Sequence, residues 1–200
     1  MRGIFLSLAL SLLIAAPALA EDGREEPTTA VEPALRKSPA EMRSERLDQL
    51  FARLHRATGE DDMQAAEQDI WSLWMAADSP TAEVLLQQAT KAMNEGAPEQ
   101  SLNILNRLIG AYPDYTEAWN KRATLYFLMG NYQASLADID KVLDLEPRHF
   151  GALSGRGMIY QRQKNYTAAL EAFRSVLAIN PHMPSAQDAV KALEKIEQGI

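Results

Sequence analysis

Apolar residues in the second half of the chain recur with a period of 34 residues. Within each period they fall three or four residues apart, which is the spacing of one face of a helix. Each period closes on a proline, a residue that a helix interior does not accommodate. These prolines are Pro113, Pro147 and Pro181. The pattern therefore predicts a series of helical hairpins over 82–115, 116–149 and 150–183.

Bulky and small side chains alternate at fixed places in each hairpin. The fourth place holds Leu85, Trp119 and Leu153, and the eighth place holds Ala89, Ala123 and Gly157. A small residue one turn away from a bulky one allows two helices to pack closely. We therefore expect the large side chains of Trp119, Tyr160 and Phe173 to lie between packed helices.

Turn residues separate the two helices of each predicted hairpin. Gly96 and Gly130 mark this turn in the first two hairpins, and Lys164 followed by Asn165 takes the same place in the third. After Pro181, an apolar stripe with a charged opposite side runs along 184–200. We interpret this last segment as a capping helix that shields the third hairpin from water.

A further helical hairpin is predicted over 38–80. Ser38, Pro39 and Glu41 form a capping box, which marks the start of a helix, and Gly59 is expected to end that helix in a left-handed conformation. The apolar residues of the two predicted helices are Leu47, Leu50, Phe51, Leu54, Ile70, Trp71, Leu73 and Trp74. We interpret this segment as a degenerate fourth repeat at the amino-terminal end of the array, and an unrelated helical hairpin is the alternative.

The amino-terminal segment has the features of a secretion signal. Arg2 precedes an apolar run, and the run is followed by Pro17 and the small-residue pattern Ala18-Leu19-Ala20. We predict a Sec-type signal peptide over 1–20, cleaved after Ala20, with an uncleaved membrane anchor as the alternative. Residues 21–37 combine two prolines with charged and small residues, and they are predicted to form a flexible acidic leader.

The repeated positions resemble those of the tetratricopeptide repeat, which has the same period and the same order of bulky, small, aromatic and proline places. The resemblance covers 82–183. It implies an all-α fold, a right-handed superhelical solenoid of antiparallel helix pairs with a carboxyl-terminal capping helix. The chain departs from the family at the seventh place, where Gln88, Arg122 and Arg156 replace the usual leucine.

Composition limits the partners and the chemistry. The formal net charge of −7 disfavours nucleic acid and anionic membranes as partners. The chain has no cysteine, so neither disulfides nor an acylated cysteine can stabilise or anchor it. The spacing of His55, His149 and His182 does not suggest a metal site, and no cofactor is predicted. Asp138 and Asp140 are interpreted as solvated surface charges rather than as a catalytic pair.

The resemblance implies a concave binding groove lined by the first helix of each unit. In the family, the second, fifth, ninth, twelfth and thirteenth places line this groove. The corresponding residues here are Glu83, Leu86, Thr90, Met93, Asn94, Glu117, Asn120, Thr124, Phe127, Leu128, Gly151, Ser154, Met158, Gln161 and Arg162. Several of them are apolar, and flexible methionines suit a surface that accommodates varied apolar anchors. The same side chains could instead belong to the core.

Two functions are consistent with the sequence. The first is a non-enzymatic interaction module of the periplasm or the secreted fraction, which binds a protein segment as a scaffold or assembly factor. The second is a holdase-like chaperone for unfolded exported chains. A clamp for acidic carboxyl-terminal tails is disfavoured, because Leu86, Thr90 and Gly155 stand where the family uses basic and amide residues. The oligomeric state is not predicted.

Overall fold

The computed structural model describes residues 37–199, so the predicted signal peptide and nearly all of the predicted leader lie outside the described residues. The described helices are α1 (Pro39–Arg56), α2 (Glu60–Met75), α3 (Pro80–Asn94), α4 (Pro98–Ala111), α5 (Thr116–Leu128), α6 (Tyr132–Leu145), α7 (Phe150–Arg162), α8 (Tyr166–Ile179) and α9 (Pro184–Glu197). Within 37–199 the secondary structure contains helices and no strand. No helix in this range is long and apolar enough to cross a membrane.

Three helix pairs form the repeat array. The pairs α3 with α4, α5 with α6, and α7 with α8 are packed hairpins, and α4 contacts α5 as α6 contacts α7. The first helices of successive units also contact each other, α3 with α5 and α5 with α7. The last helix, α9, packs on α8. The predicted all-α solenoid of paired helices with a terminal helix is confirmed.

A buried serine ties together the two helices of the first two units. The hydroxyl of Ser101 donates a hydrogen bond to the carbonyl of Ala89 at 2.8 Å, and that of Ser135 donates to the carbonyl of Ala123 at 2.7 Å. Each bond joins the twentieth place of a unit to its eighth, so the small eighth residue leaves room for a direct bond to the helix backbone. In the third unit, Ala169 occupies the twentieth place and is fully buried without a hydroxyl.

The turn inside each unit has one left-handed residue at equivalent places. Gly96, Gly130 and Lys164 have φ values of 73°, 74° and 60°. Glycine adopts this conformation without steric strain, whereas a residue with a Cβ does not. The side chain of Asn165 caps the next helix by accepting a hydrogen bond from the amide of Ala168.

The arginines at the seventh place link successive units. Arg122, on α5, donates to Asn106 on α4 at 2.7 Å and forms a two-pronged ion pair with Asp138 on α6. Arg156, on α7, forms an ion pair with Asp140 on α6. Asp138 is therefore not the solvated charge that we predicted: its side chain is only 6% exposed, because the guanidinium compensates for its burial.

The α1–α2 hairpin begins as predicted, because the Ser38 hydroxyl and the Glu41 carboxylate form the reciprocal bonds of a capping box. The prediction for Gly59 is wrong. This glycine has a φ of −107° and is the N-cap of α2, and α1 ends earlier, at Arg56. A short extended linker therefore joins the two helices.

The hairpin lies along the turns between repeats. Asp48 on α1 binds Arg148 at 2.6 Å, His55 donates to the carbonyl of Ala178 at 3.1 Å, and Asn180 donates to Glu67 on α2 at 3.1 Å. These bonds connect residues that are at least one hundred positions apart in the sequence. The hairpin therefore spans the array lengthwise, and its contacts differ from those of the outermost stacked repeat that we predicted.

Aromatic packing explains this position of the hairpin. Trp71 contacts Phe150 edge to face, with ring centroids 5.4 Å apart, and Trp74 lies 4.9 Å from the same ring. These side chains belong to one buried cluster that also includes Phe173 on α8. Phe173 is buried as expected, whereas Trp119 and Tyr160 are only partly buried.

Candidate binding groove

The predicted groove corresponds to one face of α3, α5 and α7, which we call the groove face. Its residues separate into two clefts and a few isolated positions. The larger, the α2–α3 cleft, has a volume of about 880 Å³ and includes Glu83, Leu86, Thr90 and Asn94 from the predicted set. Its other wall is α2. The hairpin therefore contributes to a surface that we expected the repeats to form alone.

The smaller cleft lies between α5 and α7 and has a volume of about 70 Å³. We call it the α5–α7 cleft. It brings together five predicted residues, Asn120, Thr124, Phe127, Gly151 and Met158, and Gly155 also lines it. No charged side chain is among the described residues that line it.

The other predicted groove residues lie outside both clefts. Met93 packs against the cluster of the first unit, and the Ser154 hydroxyl donates to the carbonyl of Phe150 at 2.8 Å. Gln161 and Arg162 are exposed at the end of α7. Leu128 is 65% exposed.

Glu117 is buried rather than facing the groove, which corrects its predicted position. One carboxylate oxygen accepts a hydrogen bond from Nε2 of His149 at 2.9 Å, and the other accepts from the amide of Asn120 at 3.0 Å. Both Glu117 and His149 are completely shielded from solvent. Nδ1 of His149 accepts from the amide of Ala152 at 3.1 Å, so the imidazole proton resides on Nε2.

The surroundings of Glu117 favour its charged form. Burial raises the pKa of this carboxyl, but the hydrogen bonds from His149 and Asn120, together with the charges of neighbouring basic side chains, hold the pKa below its ordinary value. The neighbouring Tyr115 donates its hydroxyl to the carbonyl of Met75 at the end of α2. Burial raises the pKa of Tyr115, which therefore remains a neutral donor at physiological pH.

The residues at the second place of the three units lie close to the hairpin, to the segment that follows α2, or to a residue that the hairpin covers. The amide of Ala77, just after α2, donates to Glu83 at 2.9 Å. Glu117 binds His149, and Trp74 covers the other side of that imidazole. A Cβ at Gly151 would lie 2.7 Å from Trp71, so only glycine fits beneath this indole. The second places of α5 and α7 are therefore occupied by internal contacts, whereas Glu83 on α3 remains exposed in the α2–α3 cleft.

The open part of the groove face lies toward the carboxyl-terminal ends of α5 and α7. Met158 is 42% exposed there, Phe127 is partly buried against Tyr132, and Leu128 is exposed. Apolar side chains left exposed together are a common feature of protein interaction surfaces. The arrangement is suited to holding an apolar side chain, and among residues 37–199 no cluster of side chains is suited to binding a metal ion.

Sequence reasoning missed the buried residues that organise this face. The sequence pattern predicts no structural role for His149, and it places Trp74 on the apolar face of a degenerate repeat. A signal was nevertheless present, because Glu117 and His149 occupy the second and last places of one unit. In an array of antiparallel helices, the end of one unit lies beside the start of its own first helix.

Comparison with known protein families finds a match over the repeated part of the chain. Residues 86–136 and 120–184 match the sequence model of the tetratricopeptide repeat. A TPR repeat-containing protein of Rhizobium etli is 42% identical over 94 residues, which are 47% of this chain and 46% of that protein. The chain thus spans less than half the length of this curated relative.

Solved structures show the same fold. The first TPR domain of Spaghetti (RPAP3), solved with an HSP90 peptide, has a TM-score of 0.57 and 20% identity over 61% of this chain and 97% of that one. MamA has a TM-score of 0.55 and 19% identity over 72% and 86%. A MamA fragment from Desulfovibrio magneticus has a TM-score of 0.54 and 25% identity over 58% and 66%. The sequence match and the helix pairing together support the tetratricopeptide repeat family for residues 86–184 of this chain.

Proposed function

We propose that this protein is a non-enzymatic interaction module that binds an apolar segment of a partner protein on the open part of its groove face. One observation carries the proposal: Leu128 and Met158 remain 65% and 42% exposed on a fold whose other large apolar side chains are mostly buried. Exposed apolar area of this kind gains free energy when a partner covers it, at roughly 25 cal/mol per Å².

The partner segment is proposed to be apolar rather than acidic. The RPAP3 domain was solved with the peptide SRMEEVD, which contains three carboxylate side chains. In this chain, Thr124, Phe127 and Met158 line the α5–α7 cleft, and no charged side chain is among the described residues around it. Without a cation in the cleft, an acidic tail would lose hydration and gain no ion pair.

The proposed location is the cell envelope. The Arg2-led apolar run and the small residues before Glu21 are the support for this proposal, and the absence of cysteine is compatible with an oxidising compartment. In that compartment the protein would act as a scaffold or assembly factor. Sequencing the amino terminus of the protein isolated from the native cell tests the proposed cleavage after Ala20.

Photo-crosslinking in intact cells tests the function. A photoreactive amino acid in place of Leu128, which is exposed, should capture one or two defined proteins that mass spectrometry can identify. Phe127→Glu and Met158→Glu should abolish this capture, because each places a charge in an apolar cleft. Gln133→Glu is the matched control, since Gln133 is exposed on α6 and contributes to neither cleft.

The fold of each variant must be verified by circular dichroism and thermal unfolding. Capture that is equally strong in the wild type and in both groove variants would refute the proposed surface. Loss of the melting transition in Phe127→Glu would assign that residue to the core, and Met158→Glu would then decide the question alone.

A holdase-like chaperone is the second candidate, and the exposed side chains of Leu128, Met129 and Met158 favour it. Such a chaperone should suppress aggregation of unrelated unfolded proteins, such as reduced insulin, at near-equimolar concentration. A scaffold with a defined partner should not. The two functions are therefore separable by one light-scattering assay.

A further inference from the structure

We propose that the α2–α3 cleft is a second docking site, for an amphipathic helix of a partner whose apolar face is flanked by lysine or arginine. The inference rests on the proposed interaction function but concerns a different surface. The site exists only because the hairpin lies beside α3, so it could not arise from the repeats alone. Its volume of about 880 Å³ lies within the range of protein ligand sites, about 300–1,000 Å³.

The shape of the cleft suits a helix. Leu86, Thr90 and Asn94 follow each other at intervals of four along α3, a row about 12 Å long at 1.5 Å per residue. The opposite wall is the last turn of α2, which presents Ser72 and Met75, followed by Ala76 just after the helix. Two helical walls with an apolar floor are the geometry by which grooves bind one face of an amphipathic helix.

The polar groups of the cleft disfavour an extended segment. The Ser72 hydroxyl donates to the carbonyl of Gln68, and the Thr90 hydroxyl donates to the carbonyl of Leu86, both at 2.8 Å. Glu83 accepts from the amide of Ala77. These three groups are already bonded to the protein, and a helix, unlike an extended segment, brings a backbone whose polar groups are satisfied internally.

The negative charge around the cleft favours a partner helix whose apolar face is flanked by basic side chains. Glu83 and Glu95 line the α2–α3 cleft, and Asp78 and Asp114 line an adjoining cleft that shares Tyr115 with it. The basic side chains lining the two clefts are Lys91 and Arg43. Arg43 binds Asp78 at 2.9 Å, and Lys91 lies 3.8 Å from Glu95. Carboxylates thus outnumber cations by two to one, which favours a cationic partner.

Two synthetic peptides of about fourteen residues test the proposal, since this length gives about four helical turns. Both place leucines at helical spacing on one face, and the other face carries lysines in one peptide and glutamates in the other. Isothermal titration calorimetry with the full mature chain should show at least ten-fold tighter binding of the Leu–Lys peptide. Raising the salt concentration should weaken that binding.

A matched pair of variants locates the site. Met75 on α2 is 39% exposed and Met158 on α7 is 42% exposed, so replacing either by lysine makes the same chemical change at similar exposure. Met75→Lys should weaken binding of the Leu–Lys peptide at least ten-fold, whereas Met158→Lys should leave the affinity for this peptide unchanged. Equal affinity for the two peptides would overturn the proposal, as would binding that is sensitive to Met158→Lys alone.

The outcome is independent of the groove experiment. If cellular crosslinking from position 128 captures a partner while Met75→Lys has no effect on peptide binding, the proposed function stands and the second site falls. If Met75→Lys weakens peptide binding but crosslinking from position 128 captures no protein, the groove proposal is refuted and the proposed site in the α2–α3 cleft stands. Circular dichroism of Met75→Lys confirms that the hairpin is still folded.

Discussion

The indole of Trp74 lies parallel to the imidazole of His149, with ring centroids 4.2 Å apart and an angle of 15° between the planes. The imidazole in turn donates to the buried carboxylate of Glu117. One stacked pair thus connects the hairpin to α7, and one hydrogen bond connects α7 to α5. The charge on Glu117 is tolerated in the interior because these contacts replace water.

The charge of Glu117 should make stability depend on pH. Its pKa is lower in the folded protein than in the unfolded chain, so it stabilises the fold above its ordinary value of 4.5 and loses this contribution as pH falls through the folded value. Glu117→Gln keeps an oxygen acceptor for His149 but cannot ionise. We expect the free energy of unfolding to fall less in this variant than in the wild type when pH drops from about 7 to about 3.5.

Urea unfolding at the two pH values measures this difference. Asp140→Asn is the control, because the Asp140 side chain is 69% exposed and should follow the wild-type pH dependence. Parallel behaviour of Glu117→Gln and the wild type would show that folding does not shift the pKa of Glu117.

Lys164 occupies a left-handed position that glycine occupies in the two preceding units. We expect Lys164→Gly to stabilise the protein by about 0.5–1 kcal/mol, because relief of the strained φ exceeds the extra entropy that glycine gains in the unfolded chain. The reverse change at the equivalent turn, Gly130→Lys, should destabilise by about 1 kcal/mol. Thermal unfolding of both variants checks the pair, and changes of the same sign would contradict the argument.

Replacement by alanine, which adds a methyl group, should have opposite effects on stability at two glycines of α7. A Cβ at Gly157 would lie 2.8 Å from the ring of Phe173, whereas one at Gly155 would lie 3.4 Å from a terminal methyl of Ile139. Gly155→Ala should stabilise by about 0.5–1 kcal/mol through helix propensity. Gly157→Ala should destabilise by about 1–3 kcal/mol, since the Phe173 ring must move within a packed core. Chemical denaturation that gives equal values for the two would refute this difference in packing.

The seventh-place arginines offer another comparison. Arg122 and Asp138 are 16% and 6% exposed, whereas Arg156 and Asp140 are 25% and 69% exposed. Arg122→Met leaves a buried carboxylate without its cation and should cost about 3 kcal/mol. Arg156→Met leaves a carboxylate that water can solvate, so the loss should stay below about 1 kcal/mol. Urea midpoints at neutral pH test this order, and similar losses in the two variants would show that burial of Asp138 does not decide the effect.

The repeated part of the fold could be predicted because each of its helices contacts neighbours that are near in sequence. The period fixed the boundaries of the units, and Ser38 with Glu41 fixed the start of α1. The place of the hairpin could not be predicted in this way. It depends on the packing of the Trp71 indole against Gly151, which lies eighty residues later in the chain. No local sequence pattern indicates that this bulky side chain and this residue without a side chain will meet.

The position of the hairpin also explains why the exposure of some predicted groove residues differs from the prediction. Met158 and Phe127 line the cleft that α5 and α7 form together, and no residue of the hairpin is among the residues that line it. Glu117 is buried because a residue from the hairpin covers its partner His149. Leu86 faces the α2–α3 cleft yet is only 1% exposed, since α2 forms the opposite wall. The spacing of residues along each helix predicts the face on which these side chains lie. The position of the hairpin determines how far they are exposed to solvent.

The long-range bonds of the hairpin have a consequence for folding kinetics. In a linear repeat array each unit interacts only with its neighbours, so terminal units can fray independently. Here the pair Asp48 with Arg148 joins α1 to the turn between the second and third units, and the pair Glu67 with Asn180 joins α2 to the end of α8. Closing so long a loop is entropically expensive and raises the contact order, which slows folding. The array should therefore form late and lose its ends together rather than one repeat at a time.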